Sequence, residues 1–204
     1  MIYLFSNLEE ILEALKNGEM IGLADSPEVE NEIDFCMAGE FVTPEKIYQM
    51  AREGSGLICT PMAREYAERL NFPYMVEHNE DKRLTNFTVS FDLKGSHTGI
   101  SAAERAATIL KVCDENATAE DFYRPGHCFG LNAKDGGLLE RYGHTEGSID
   151  LCKLAGLKPV SVICEILKDE TQMLTVGDWE EWNRDKGLKL YSLDQLLEEL
   201  KARQ

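Results

Sequence analysis

The sequence predicts a single mixed α/β domain in which helices cover one sheet. Three observations predict it. Segments of helical period alternate along the chain with short apolar segments of strand type. The 204 residues, 43% hydrophobic and 28% charged, suffice to bury a core and have ordinary globular composition. No repeat, low-complexity stretch or long linker divides them.

The elements follow in order. Met1 to Gly18 reads as an acidic amphipathic helix: Leu8, Ile11, Leu12 and Leu15 share one face, Ser6 or Asn7 caps it, and Gly18 stops it. Met20 to Ala24 is a short apolar strand, Asp25 to Asp34 an acidic loop, and Phe35 to Ala38 a second strand. Thr43-Pro44-Glu45 opens a helix, with Thr as cap and Pro at the first position, that runs to about Glu53 and ends at Gly54. Leu57 to Thr60 is a strand, Ala63 to Leu70 a helix, and Phe87 to Asp92 alternates in period two as a strand does. Ser101 and Glu104 form a capping box ahead of Ala106, Ile109, Leu110 and Cys113. Thr118 opens a short helix, Cys128 to Leu131 is strand-like, and Thr145 to Leu154 is a helix stopped by Gly156. Val160 to Leu167 and Met173 to Val176 read as a hairpin. Asp178 to Asp185 is a short helix, and Ser192 to Lys201 is the last one, boxed by Ser192 and Gln195.

Charge narrows the functional classes. With 21 basic and 37 acidic side chains the net charge is −16, which repels nucleic-acid and membrane phosphates and favours divalent cations. No apolar run approaches the roughly 20 residues that span a bilayer. The six cysteines form no CxxC pair, and most stand in apolar contexts, so they read as reduced, buried thiols of a cytoplasmic protein.

Several constellations can carry chemistry. Asp25 to Asp34 holds five carboxylates in ten residues, either a solvated acidic loop or one held by a cation such as Mg²⁺ or Mn²⁺. Its spacing is not that of an EF-hand. Two histidines follow glycine close to an arginine, in Arg124-Pro125-Gly126-His127 and Arg141-Tyr142-Gly143-His144-Thr145. Each is a turn with a surface histidine or a site of backbone approach to an anion. At the second, a helix begins at Thr145, whose free N–H groups with the Arg141 guanidinium suit a phosphate and place His144 beside it. Glu165 ends an apolar strand, either facing solvent or desolvated and suited to proton transfer. Cys59 reads as an inert buried thiol, Thr98 to Arg105 as a glycine turn and capped helix, and Trp179 with Trp182 as packing.

Taken together, eight segments in order make the chain resemble the 3,4-dihydroxy-2-butanone 4-phosphate synthase family over nearly its whole length. They are Glu30-Asn31-Glu32-x-Asp34, Thr43-Pro44-Glu45-Lys46, Gly56-Leu57-Ile58-Cys59, Phe87-Thr88-Val89-Ser90, Thr98-Gly99-Ile100-Ser101, Arg124-Pro125-Gly126-His127, Gly143-His144-Thr145-Glu146 and Ile163-Cys164-Glu165. The resemblance implies an α+β fold: one three-layer α/β/α domain over residues 1–204, with a mixed twisted sheet. It implies a homodimer whose active sites draw on both subunits. It also implies conversion of ribulose 5-phosphate to 3,4-dihydroxy-2-butanone 4-phosphate and formate with two Mg²⁺ or Mn²⁺ ions. By the same resemblance Glu30 and His144 are metal ligands, and Asp34 is a substrate-binding and catalytic carboxylate. Arg141, Tyr142, Gly143, His144 and Thr145 form the phosphate cradle. His127 and Glu165 carry the chemistry, Glu165 also touching substrate, and Thr98 and Cys59 line the same pocket. In 204 residues no fused cyclohydrolase domain is expected. The physics agrees: cations chelating a ketose phosphate acidify its hydroxyls, a carboxylate or histidine moves the protons, and a closing acidic loop keeps water out.

The chain departs from the family pattern around that loop. Val29 stands where an arginine that touches substrate is expected, Ile33 where a glycine is expected, Asp25-Ser26-Pro27-Glu28 replaces Asp-Asp-x-Asp, and Ser55 replaces an arginine. Valine supplies no donor, and isoleucine is stiffer than glycine at a hinge. These changes keep two alternatives in play: a divergent paralogue that enolises, isomerises or dehydrates another sugar phosphate, and a non-catalytic phosphosugar-binding protein.

Overall fold

A computed structural model describes residues 5–203. Met1 to Leu4, the start of the expected first helix, lie outside the described residues, as does Gln204. The chain forms α1 (Leu8–Lys16), β1 (Ile21–Ala24), β2 (Ile33–Ala38), α2 (Pro44–Gln49), β3 (Cys59–Met62), α3 (Arg64–Arg69), β4 (Phe91–Leu93) and α4 (Ala102–Cys113). There follow β5 (Phe122–Asn132), α5 (His144–Leu154), β6 (Ser161–Glu165), α6 (Trp179–Trp182), β7 (Leu190–Ser192) and α7 (Leu193–Lys201).

Among the described residues the strands make one seven-stranded mixed sheet in the order β4-β5-β3-β6-β2-β1-β7. The β1–β7 and β3–β5 pairs are parallel; β1–β2, β2–β6, β3–β6 and β4–β5 are antiparallel. Successive strand residues point to opposite faces, so the period of two divides the core. Phe35, Met37, Val162 and Cys164 pack with Ile47 and Met50 and with Ala106, Ile109 and Val112 of α4. Cys36, Cys59 and Ile163 pack with Ile11 and Leu15 of α1, Leu151 of α5, and Leu193 and Leu196 of α7. The result is three layers, and the α5 face is the one that carries the site. Burying each such Leu, Ile or Phe stabilises the fold by about 1.5–3 kcal/mol before chain entropy is counted.

Local signals place most helices. Asn7 caps α1 with Glu10 in a reciprocal box, Thr43 accepts from Lys46 N ahead of Pro44, and Ser101 and Glu104 box α4 as expected. The second helix reaches Gly54 through a wide π turn over Met50–Gly54, and Ser55 leaves it in the left-handed region at φ 62°. Four expectations change. Phe87 to Asp92 is not one strand, because Thr88 N donates to Gly130 O and Val89 N to Pro73 O, two different partners, and only Phe91–Leu93 forms β4. Cys128 to Leu131 belongs to a longer strand, and Gly126 within it lies so close to β4 that a Cβ would run into the Phe91 carbonyl carbon. Met173 to Val176 is reduced to a single bridge from Met173 to Leu167, and the short helix near the C-terminus is the one turn of α6. The strand β7 was not foreseen, since three residues show no period. All six cysteines are buried and unpaired.

Candidate active site

The site gathers at one end of the sheet, on the α5 face. Asp34 and Glu165 are direct cross-strand partners in β2 and β6, so their side chains stand on the same side. Glu30 and Glu32 precede Asp34 at alternate positions. The loop that presents them is built by Asp25, whose buried carboxylate accepts from Glu30 N and Glu32 N, each at 2.9 Å. Asn31 turns the chain with φ 57°, a left-handed conformation that asparagine tolerates. Ser26 donates to Glu28 at 2.9 Å. Of the five loop carboxylates, then, Asp25 and Glu28 are spent on the loop itself, and Glu30, Glu32 and Asp34 face the site.

Across from them α5 begins. Gly143 is its cap and provides no side-chain bond, so the first N–H groups of the helix are not covered by a capping side chain. His144 and Thr145 are buried. His144 Nε2 lies 3.1 Å from the Leu23 carbonyl, an acceptor, so Nε2 is the donor there and Nδ1 is the ring nitrogen left for a ligand. One ligand atom each from Glu30, Glu32 and His144 fall within 4.8 Å of one another. A cavity of about 190 Å³ is lined by these three and by Asp34, Cys59, Asp81, Arg83, Thr85, Arg141, Gly143, Thr145 and Glu165.

The electrostatics are those of a site short of positive charge. Asp34 is 3% exposed, and its Oδ1 finds no hydrogen-bond partner among the described residues. Burial first, then the charges of Glu165, Glu30 and Asp25, hold its carboxyl well above the usual range. Glu32 is pushed up to about 7 by burial and by Asp34, partly offset by His144. An orphaned buried carboxylate oxygen beside two further carboxylates and a histidine lone pair fits a hard divalent cation with oxygen and imidazole ligands. Cys59 is raised well above its normal value by burial, which keeps the thiol protonated and inert.

The structure alters several sequence expectations. Arg141 lines the cavity, but its guanidinium is engaged: Nε donates to Arg83 O at 2.9 Å, Nη2 to Thr85 Oγ1 at 2.8 Å, and Nη1 pairs with the buried Glu146 carboxylate. It braces the start of α5. Tyr142 is absent from the cavity lining; its hydroxyl donates to Asp194 Oδ1 at 2.7 Å, and its carbonyl, not its ring, meets a neighbouring arginine. Ile33 sits in regular strand, fully buried in the α4-side core, with its carbonyl accepting from Ile166 N, so no hinge or special φ exists there. Glu165 accepts from Leu57 N at 2.7 Å, and Gly56 allows that approach, since a Cβ there would run into the Glu165 carbonyl oxygen.

His127 and Thr98 do not border this cavity. His127 is 44% exposed on β5; its Nδ1 is 2.7 Å from Asp92 Oδ2, and its backbone N donates to Asp92 Oδ1 at 2.8 Å. Thr98 is exposed and donates through N to Glu104 at 3.2 Å. The two belong to one locus, for Gly99 lies against the Asp92 carboxylate. Sequence reasoning missed Glu32 as a candidate ligand, although it belongs to the same acidic loop two residues from Glu30. It also missed Asp81, Arg83 and Thr85, which occupy a loop without periodicity and left no signal to find.

Comparison with known proteins places the chain in a family. The family model described as 3,4-dihydroxy-2-butanone 4-phosphate synthase matches residues 9–199. A protein of that name from Helicobacter pylori is 52% identical over 175 residues, covering 86% of this chain and 51% of the relative. The riboflavin biosynthesis protein RibBA of Bacillus mycoides is 45% identical over 194 residues, 95% of this chain and 49% of the relative. The chain thus spans about half the length of these curated relatives. A solved 3,4-dihydroxy-2-butanone 4-phosphate synthase, in complex with two magnesium ions, superposes with a TM-score of 0.92 at 38% identity, covering 97% of this chain and 98% of its own. On sequence and fold alike, the chain belongs to the 3,4-dihydroxy-2-butanone 4-phosphate synthase family.

Proposed function

We propose that this chain, as one synthase-like domain over residues 1–204, converts D-ribulose 5-phosphate to L-3,4-dihydroxy-2-butanone 4-phosphate and formate in riboflavin biosynthesis. The observation that carries the reading is Asp34: a buried carboxylate with an unpartnered oxygen, opposite Glu165, in the cavity that also holds the Glu30, Glu32 and His144 ligand atoms. Nothing in the packing of β2 requires a carboxylate there. Catalysis does.

Glu30, Glu32 and His144 are the residues that would hold Mg²⁺ or Mn²⁺. The chemistry such a cation would supply at these residues is Lewis acidity towards the ketose carbonyl and the hydroxyl beside it. Asp34 and Glu165 then hold and move the protons of enolisation, one carboxyl buried and the other at the strand end, so that their environments separate their roles. The uncapped start of α5, with Thr145, receives the phosphate, and Arg141 keeps that start in place. The Asp25-braced loop keeps water from the reacting sugar.

The protein acts as a homodimer with shared sites. His127 supports this: Asp92 holds its Nδ1, and the exposed ring, with Nε2 left over, does not line its own chain's cavity. Its task is served if it enters the partner subunit's site together with Thr98. The buried, unpaired thiols suit a reducing cytoplasmic compartment.

Val29 favours a second reading, a paralogue acting on another sugar phosphate, because it offers no donor beside Glu30. Carbon-13 NMR of the protein with labelled ribulose 5-phosphate and Mg²⁺ separates the two. A formate signal that EDTA abolishes is the expected result. New sugar-phosphate signals without formate select the paralogue, and phosphosugar binding without turnover selects a binding protein.

A further inference from the structure

Two guanidinium groups reach the cavity, and they are not equivalent. Arg141 is 14% exposed, its charge is cancelled by Glu146, and each of its nitrogens has a partner. Arg83 is 31% exposed and differently placed. Its Nη2 donates to the Tyr142 carbonyl at 3.2 Å, directly before the cap of α5. Its Nε lies 3.7 Å from Glu30 Oε1, an ion-pair distance too long for a hydrogen bond. Among the described residues Nη1 has no protein partner.

The loop holding Arg83 is built to present it. The Asp81 carboxylate accepts from Arg83 N at 3.1 Å and from Thr85 N at 2.8 Å, and Asn79 donates to Thr85 O at 2.8 Å. Leu84 is forced to φ 54°, a left-handed conformation that costs a leucine energy. The Arg83 carbonyl meanwhile receives Arg141 Nε, which ties this loop to the start of α5. Strain and three local bonds thus fix one residue whose side chain lies over the helix start with donors to spare. Val29, the neighbour of Glu30 on the opposite wall, contributes no donor.

A phosphate monoester at neutral pH carries nearly two negative charges, and the planar fork of a guanidinium matches its oxygens better than any other side chain. The competing use of Arg83, as counter-ion to Glu30, gains little from a partly exposed pair at this distance. We propose that Arg83 is the guanidinium that binds the substrate phosphate at the start of α5 and makes the site selective for phosphorylated over free ketoses. The identity of the ketose rests on the function proposed above; the phosphate recognition does not.

The test uses Arg83→Ala and Arg83→Lys, the latter keeping the charge and guarding against collapse of the loop. In a wild type that makes formate, Arg83→Ala is expected to raise KM for ribulose 5-phosphate about tenfold or more with kcat changed far less, and Arg83→Lys to recover part of it. Without metal, phosphorus-31 NMR titration with inorganic phosphate should show the same loss, and Mn²⁺ affinity by EPR should stay unchanged. Wild-type KM and phosphate affinity in Arg83→Ala overturn the proposal. So does a variant whose Mn²⁺ affinity moves while its phosphate affinity holds, for that makes Arg83 the partner of Glu30. A wild type that binds phosphate through Arg83 yet makes no formate sinks the synthase reading and leaves the phosphate role standing.

Discussion

Asp34 works against the stability of its own strand. A buried carboxyl whose oxygen lacks a partner is costly once ionised, and its neighbours in the cavity add like charge. Its folded-state pKa is raised, so its contribution to folding is best below the ordinary aspartate range and is lost as pH rises through the raised value. In metal-free protein kept in EDTA, Asp34→Asn should therefore melt higher than wild type at neutral and alkaline pH. The gap should shrink steadily as pH is lowered towards 3.8, the ordinary aspartate value. A thermal-melt series against pH reads it; equal melting temperatures at pH 8 would show that the Asp34 carboxyl is relieved by something other than protonation. The gain in stability comes with lost turnover, as expected where a destabilising group is kept for chemistry.

Elements show where sequence reasoning succeeds. Caps are decided by residues three apart, which is why the Thr43 and Ser101 starts were legible and the α4 box formed as read. Glu104 does more than close that box. It accepts from Ser101 Oγ at 2.8 Å, His97 N at 2.6 Å and Thr98 N at 3.2 Å, so it sets the loop that carries Thr98. The Ser101 hydroxyl first, then backbone bonds from Gly99, His97 and Ser101, draw its pKa down from 4.5 to about 2. A depressed carboxylate stabilises the fold above its unfolded pKa and loses that stabilisation as pH falls through the folded one. Wild type should thus melt above Glu104→Gln at pH 6, and the two should converge between pH 4.5 and about 2. A difference that ignores pH would assign the effect to shape rather than charge. Strand content was harder to read. Thr88 and Val89 choose partners more than 10 residues away on different segments, and β7 exists only because β1 lies beside it. Such choices are tertiary, and no local period encodes them.

At the scale of the whole molecule, the sheet order is what makes a site. The β6–β2 pairing brings Glu165 opposite Asp34, and α5 carries His144 to the Leu23 carbonyl of β1. The motif residues were visible in the sequence; their division into two loci was not, because that depends on which strand lies at the edge. The edge strand β4 and its neighbour β5 carry Asp92 and His127 away from Glu30 and His144. If a partner subunit closes that gap, two inactive variants must rescue each other. Glu30→Gln disables the cavity, and His127→Ala disables the outward locus. Either variant alone should give almost no formate. Mixed, unfolded and refolded together, they should regain about one quarter of wild-type activity: half the dimers are hybrids, and each hybrid holds one wild-type site and one doubly damaged one. Refolded wild type supplies the reference. No recovery, from hybrids shown to have formed by exchange of a tagged subunit, would mean that His127 serves its own chain, and the shared-site reading would fall while the metal cluster stood.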